Sequence, residues 1–417
     1  MAKFEIIGPT KLSGSIKIAG NKNSVLPIMA ASLLTDQICT LENVPDISDV
    51  GVMTELLEIA GAKIQKNGSN IKINAKNIKF SSFPTSLTSK LRASILLLAP
   101  VLARLGKIEM GFPGGDIIGR RPLDSHIQVL TSMGAKIKEE NDLIHATADG
   151  FQGVEIFLQE ASVTATENAL IAASVAKGLT TIKRAAQEPH VIDLCHFLQK
   201  MGAQIEGVGT SILRVNGVNN LSGANHRVRP DHVEVGTFAI LAALTHGKIE
   251  IYPIITQDLD MILLILKKFG AKFKISDDKL TIEDSKLNAV EKVVTDIWPG
   301  FPTDLMAPMI VLATQAKGMT ILHDWMYESR MFFVDKLLSM GAKVEIADPH
   351  RVFVYGATKL RGQVLDTPDI RAGIALVIAA LIAKGKSTIE RAELIERGYE
   401  NIVERLSALG AKIKRIQ

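Results

Sequence analysis

The sequence predicts an α/β protein of two domains, assembled from six repeated units of about 70 residues. Three observations carry this. A chain of 417 residues exceeds what one core ordinarily organises. A Gly-Ala pair recurs at Gly61, Gly134, Gly202, Gly270, Gly341 and Gly410, in "AGAKIQ", "MGAKIK", "MGAQIE", "FGAKFK", "MGAKVE" and "LGAKIK". Each pair sits between a helix-periodic run and a strand-periodic one, so both kinds of element belong to every unit.

Within a unit the elements follow in a fixed order. "DLCHFLQKMGA" (193–203) and "FVDKLLSMGA" (333–342) carry apolar residues at helical spacing, and the glycine after the last periodic residue is a helix stop. "AKIKEENDLIHATA" then alternates on either side of a turn and reads as a hairpin. A third short strand, such as "GVEIFL" or "GSIKIA", leads into a very apolar helix. That helix ends at a glycine-containing turn, as in "AKGLTTIKRA", "THGKIEIYP", "AKGMTILHD" and "AKGKSTIER". Another strand follows, then the next Gly-Ala helix. The unit therefore mixes parallel crossovers with hairpins, and helices this apolar should be enclosed by sheet. The sixth unit stops one strand into its hairpin at "GAKIKRIQ", while the chain opens with the strand-like "KFEIIGPTKLSGSIKIAG". The first residues are thus expected to complete the last unit. One domain would span 22–229, and the other 1–21 plus 230–417, with crossings near residues 21 and 230 and a cleft between the two.

Composition narrows the function. Hydrophobic residues at 47% and charged residues at 22% describe a globular chain. A net charge of +4 without a basic tract argues against nucleic acid as the main partner, while leaving room for small anions. Cys39 and Cys195 cannot build a disulfide framework and lack metal-type spacing, which fits a reducing, cytoplasmic setting. "MAKFEIIGPT" has no signal-peptide core, and "IALVIAALIA" (374–383) is too short for a membrane span, so no membrane insertion is expected. Both cysteines read as core residues.

Six helix starts follow the third strands: "NKNSVLP", "SKLRASI", "TATENAL", "PDHVEVG", "FPTDLMA" and "PDIRAGI". They carry Lys22, Asn23, Arg92, Thr166, Glu167, Asn168, Asp231, Glu234, Asp304, Asp369 and Arg371 on helices otherwise apolar. Helix capping is the plain reading of Thr303, Asp304 and Asp369. It does not account for Lys22, Arg92 and Arg371, because a cation at a helix N-terminus opposes the dipole unless an anion is near. A further stretch, "GFPGGDIIGRRPLDSH" (111–126), is too glycine-rich for a regular element and sets Asp116 close to Arg120 and Arg121. His126, just beyond it, reads as a capping or packing residue, and Trp298 and Trp325 as residues that shape the site.

The sixfold repeat, with "AGNKNSVLPIMAASLL", "PGGDIIGRRPLDSH", "FPTDLMAP" and "ERGYENI", resembles the enolpyruvyl transferases over essentially the whole chain. The resemblance implies the fold of that family, a two-domain inside-out α/β barrel. The Lys-Asn pair of "NKNSVLP" resembles the branch that works on a nucleotide sugar in peptidoglycan synthesis rather than the shikimate branch. The implied substrates are phosphoenolpyruvate and UDP-N-acetylglucosamine, with transfer of the enolpyruvyl group to the sugar 3-hydroxyl and release of phosphate. By resemblance, Lys22 and Asn23 contact phosphoenolpyruvate, and Arg121 and Arg397 hold its phosphate. Arg92 and the segment Arg121, Pro122, Leu123 and Asp124 meet the nucleotide sugar, as do Ser162 and Val163. Asp304 binds the attacking hydroxyl and is the candidate base, and the backbone of Met326 touches the sugar. Asp231, Arg330, Asp369, Arg371 and Glu188 match further site positions. Glu160 departs from the pattern, standing where some members place a lysine near the diphosphate.

The stretch 111–122 looks like the family's mobile lid. Asp116 falls where many members carry a cysteine, so it is the candidate acid, and resistance to the epoxide fosfomycin is expected. The implied reaction needs no metal and no cofactor, and a monomer is expected. Two other readings stay open: the shikimate-branch transferase, and a repeat scaffold without catalysis, which would have no need of a glycine-rich lid beside cations at helix starts.

Overall fold

A computed structural model describes residues 2–416. It contains six four-stranded sheets built on one plan. In the third, Glu155–Phe157 runs parallel to Leu179–Lys183, which is antiparallel to Ile212–Asn216, itself paired with Gln204–Glu206. The parallel step is the crossover, and the helix Val163–Ala173 lies in it. The antiparallel pair of Gln204–Glu206 with Ile212–Asn216 is the hairpin that follows the Gly-Ala pair. Strand burial alternates, as along Ile212–Asn216, where only Leu213 and Val215 are buried, so each sheet keeps one face for the core.

All six Gly-Ala glycines take the left-handed conformation that a side chain disfavours, with φ of 105° at Gly61, 106° at Gly134, 107° at Gly202, 90° at Gly270, 94° at Gly341 and 100° at Gly410. The next N–H then reaches back over the helix end. Ala62, Ala135, Ala203, Ala271, Ala342 and Ala411 donate to the carbonyls of Leu57, Leu130, Leu198, Leu266, Leu337 and Leu406. This is a Schellman stop, repeated with the same residue pair in every unit.

The chain forms two compact units. The first comprises residues 20–115 and 121–229. The second comprises the N-terminal segment to Ala19, the short piece Asp116–Arg120, and everything from Pro230. Each has its own hydrophobic core. In the second unit the strand Lys3–Gly8 pairs with both Gly385–Glu390 and Lys412–Ile416, completing the sixth sheet. Ser13–Lys17 runs parallel to Lys248–Tyr252 in the fourth sheet. In the first unit Asn225–Arg227 runs parallel to Ile38–Glu42.

The apolar helices form the interior. All residues of His232–Leu244 are buried, and all but Ile382 of Ile370–Ile382. Met306–Gln315 packs against both. In the first unit Leu98–Leu105 packs on Val163–Ala173. This arrangement, helices inside and sheets outside, is the inside-out α/β barrel. Two helix starts depart from a simple periodic reading. Arg92–Leu97 and Thr303–Leu305 are 3₁₀ turns that precede the α-helices. Pro100 and Pro308 then fall third in those helices, inside the first turn, where a missing N–H costs no hydrogen bond. Among the described residues no helix is long and apolar enough to cross a membrane.

Candidate active site

In the second unit Asp304 sits on its 3₁₀ turn between two buried guanidinium groups. Its Oδ1 accepts from Arg330 Nη2 at 3.2 Å, and its Oδ2 from Arg371 Nε at 3.0 Å and Nη2 at 2.8 Å. The arginines are almost wholly enclosed, whereas the Asp304 side chain keeps 26% of its exposure. The carboxylate is therefore fixed from behind and open in front, as a group that must meet a ligand should be. Burial pushes the carboxyl of Asp369 up, partly offset by Arg330. Burial does the same to Asp231, offset by Arg371. Both are also helix caps: Asp231 Oδ1 accepts from the N–H groups of Val233 and Glu234, and Asp369 Oδ1 from those of Arg371 and Ala372.

Asp324, which the sequence reading missed, organises the next turn. It is fully buried and accepts from the hydroxyls of Thr295 and Thr303 and from the N–H of Met326. Its carboxylate also lies 4.0 Å from Arg330 Nε. Thr303 and Asp304 are thus not caps, since their side chains are committed to Asp324 and to the arginines. Trp325 is half-exposed and donates its ring N–H to the Thr295 carbonyl, while Trp298 meets His232 edge-on.

No regular element forms between Phe112 and Pro122. Within this stretch Asp116 pairs with Arg397, Oδ1 to Nη1 at 2.9 Å, both side chains being mostly enclosed. The piece is tied down twice more in the same unit. The Arg120 N–H donates to Glu328 Oε1 at 2.8 Å, and the Ser329 N–H donates to the Ile118 carbonyl at 3.0 Å. Ile117, next to Asp116, is 87% exposed.

In the first unit Lys22 opens the helix Lys22–Ala31, whose cap is Asn21. Its Nζ lies 2.7 Å from Asp49 Oδ2. The anion that the dipole argument demands is therefore present in the protein, on the helix Ser48–Ala60, and sequence reasoning did not find it. Asn23 gives its N–H to Asn21 Oδ1. Arg92 Nη2 donates to the carbonyls of Arg121, at 2.7 Å, and Pro122, at 3.1 Å. Its guanidinium thereby braces the end of the loop. The other end is set by Gly114, where a Cβ would fall 1.6 Å from the Ser89 carbonyl oxygen. Leu123 is buried and Asp124 exposed in the first turn of Asp124–Ser132. Ser162 and Val163 start Val163–Ala173 half-buried. Glu160 accepts from the Ser125 hydroxyl.

Two buried acids accompany them. Desolvation pushes Glu188 up to about 7, and raises Glu167 well above the carboxylate range, with Glu188 adding to the effect. His126 is a packed residue: Asn168 Nδ2 donates to its Nδ1, its Nε2 meets the Thr164 hydroxyl, and burial lowers it to about 3. Cys39 and Cys195 are buried in the core.

Residues 6–406 match the profile of EPSP synthase (3-phosphoshikimate 1-carboxyvinyltransferase). The chain is 44% identical to the UDP-N-acetylglucosamine 1-carboxyvinyltransferase of Treponema denticola, covering 99% of both chains. It is 45% identical to the enzyme of that name from Bradyrhizobium diazoefficiens, covering 99% of this chain and 98% of the relative. Among solved structures, the enolpyruvyl transferase NikO from Streptomyces tendae aligns with a TM-score of 0.90 at 24% identity, over 99% of this chain and 98% of that one. EPSP synthase from Acinetobacter baumannii aligns with a TM-score of 0.77 at 19% identity over the full length of both. The two structures share the fold, and the profile and relatives establish the lineage: the chain belongs to the EPSP synthase (3-phosphoshikimate 1-carboxyvinyltransferase) family of enolpyruvyl transferases.

Proposed function

We propose that this enzyme transfers the enolpyruvyl group of phosphoenolpyruvate to the 3-hydroxyl of UDP-N-acetylglucosamine, releasing phosphate, the first committed step of peptidoglycan synthesis. The observation that carries this choice of acceptor is full-length identity of 44–45% to relatives named for that nucleotide sugar. The solved EPSP synthases stand at 18–19%.

The reaction is an addition followed by an elimination. The sugar hydroxyl forms a C–O bond to C2 of phosphoenolpyruvate, gives its proton to a base, and C3 takes a proton from an acid. The tetrahedral phospho-ketal then loses phosphate from C2 and a proton from C3, which restores the double bond. Asp304 is the base that receives the hydroxyl proton, oriented by Arg330 and Arg371. Asp116 is the acid for C3. Its side chain pairs with Arg397, a cation that the anions of phosphoenolpyruvate also attract. Lys22, Arg121 and Arg397 offset the charge that accumulates on the departing phosphate. Asn23, Arg92, Pro122, Leu123, Asp124, Ser162, Val163, Asp231, Met326, Asp369 and Glu188 complete the binding of the two substrates. Residues 111–122 act as a lid that excludes water once the nucleotide sugar is bound, and the catalytic unit is a monomeric, cytoplasmic chain in two domains, 22–229 and 1–21 with 230–417.

Phosphate release measured with phosphoenolpyruvate and either UDP-N-acetylglucosamine or shikimate 3-phosphate tests the reading. Turnover with the nucleotide sugar alone is the expected result, and turnover with shikimate 3-phosphate alone would replace it by the sister activity.

A further inference from the structure

Tyr399 is fully buried in the second unit, just after the 3₁₀ turn Ala392–Arg397. Gly398 brings it there: a Cβ at this position would fall 2.7 Å from Ile370 Cγ2, so only glycine lets the chain press against the start of Ile370–Ile382. The phenol oxygen lies 3.0 Å from Arg371 Nη1 and 2.9 Å from Thr237 Oγ1. Thr237 in turn lies 2.8 Å from the Val233 carbonyl.

The direction of these bonds is fixed by proton count. A carbonyl only accepts, so the single hydroxyl proton of Thr237 goes to Val233. Toward Tyr399, Thr237 can then only accept, and the phenol must donate to it. The phenol oxygen is left to accept from Arg371. The relay runs one way, from Arg371 through Tyr399 and Thr237 to the backbone of His232–Leu244. It leaves Arg371 Nε and Nη2 aimed at Asp304 Oδ2. The phenol is also held neutral, because burial raises it.

We infer that Tyr399, backed by Thr237, is a positioning residue for the reaction: it anchors the far side of the Arg371 guanidinium, so that the near side holds Asp304 in the orientation needed to receive the acceptor's proton. This rests on the enolpyruvyl transfer proposed above. Tyr399→Phe removes one oxygen and leaves the ring. It strands a buried Arg371 N–H without an acceptor, and Arg371 can recover that bond only by moving.

The test uses four full-length variants: Tyr399→Phe, Thr237→Val, Thr237→Ser, and Tyr399→Phe with Thr237→Val. With phosphoenolpyruvate and UDP-N-acetylglucosamine, Tyr399→Phe should lower kcat about tenfold to a hundredfold. Calorimetric Kd for UDP-N-acetylglucosamine should change less than about threefold, because the group that is disturbed acts in the transition state. Thr237→Val should lower kcat in the same way, Thr237→Ser should restore it, and the double variant should be no slower than Tyr399→Phe. Wild-type kcat in Tyr399→Phe, or equal loss in Thr237→Ser and Thr237→Val, would overturn the inference. A crystal structure of Tyr399→Phe adds a readout that needs no activity: Arg371 displaced from Asp304 supports the relay, and an unmoved Arg371 refutes it. A wild-type enzyme that releases no phosphate would instead count against the transfer reaction itself.

Discussion

Replacing Asp304 by asparagine separates its two roles. The amide keeps the size and one acceptor oxygen but loses the charge between Arg330 and Arg371. Removing one partner of a buried ion pair ordinarily costs about 3–5 kcal/mol. The loss here should fall lower, at roughly 2–3 kcal/mol, because Arg330 still faces Asp369 and Asp324 and Arg371 still faces Asp231. For units of this size that corresponds to a fall of about 5–10 °C in unfolding midpoint. Loss of the base should cost kcat on the order of a hundredfold to ten-thousandfold. Phosphate release at saturating substrates reads the second effect, and thermal unfolding reads the first. A kcat within tenfold of the native enzyme would refute Asp304 as the base. An unchanged midpoint would refute the electrostatic clamp.

Lys22→Ala should nearly abolish turnover while UDP-N-acetylglucosamine still binds by calorimetry; native rates in that variant would detach Lys22 from phosphoenolpyruvate. Asp116→Cys should remain active and become inactivated by fosfomycin with time, whereas the native carboxylate should resist it and Asp116→Ala should be severely impaired. His126 is lowered to about 3 from an unfolded value of 6.5. Its contribution to stability is therefore complete above pH 6.5 and is lost as the pH falls toward 3, a swing of up to roughly 5 kcal/mol. His126→Gln should flatten that part of the stability-against-pH curve in urea titrations, and an unchanged slope would contradict the assignment.

The repeat was legible because its punctuation is stereochemical. A helix that must stop and turn left-handed wants glycine, and the same need six times leaves six Gly-Ala pairs in the sequence. The crossover and hairpin followed from periodicity. The short 3₁₀ turns did not, because three residues are too few to distinguish one helical period from another. In the site, Lys22, Arg92, Asp304 and Arg371 stood out as charges on apolar helices. Their partners did not. Asp49, Asp324, Glu328 and Tyr399 lie in ordinary local contexts and acquire meaning only when distant segments meet. A cation at a helix start calls for an anion beside Lys22, and only the folded chain brings Asp49 from a neighbouring helix to supply it.

The most direct test of the account is the proton spectrum of the reaction run in D₂O with phosphoenolpyruvate and UDP-N-acetylglucosamine. Addition followed by elimination makes C3 a methyl group for the lifetime of the phospho-ketal, so the solvent-derived proton becomes one of three that the elimination can remove. The expected product is a vinyl ether on the sugar 3-oxygen whose methylene signals are depleted by deuterium. A vinyl ether with two undepleted methylene protons would contradict the mechanism, and the absence of that product would contradict the proposed function.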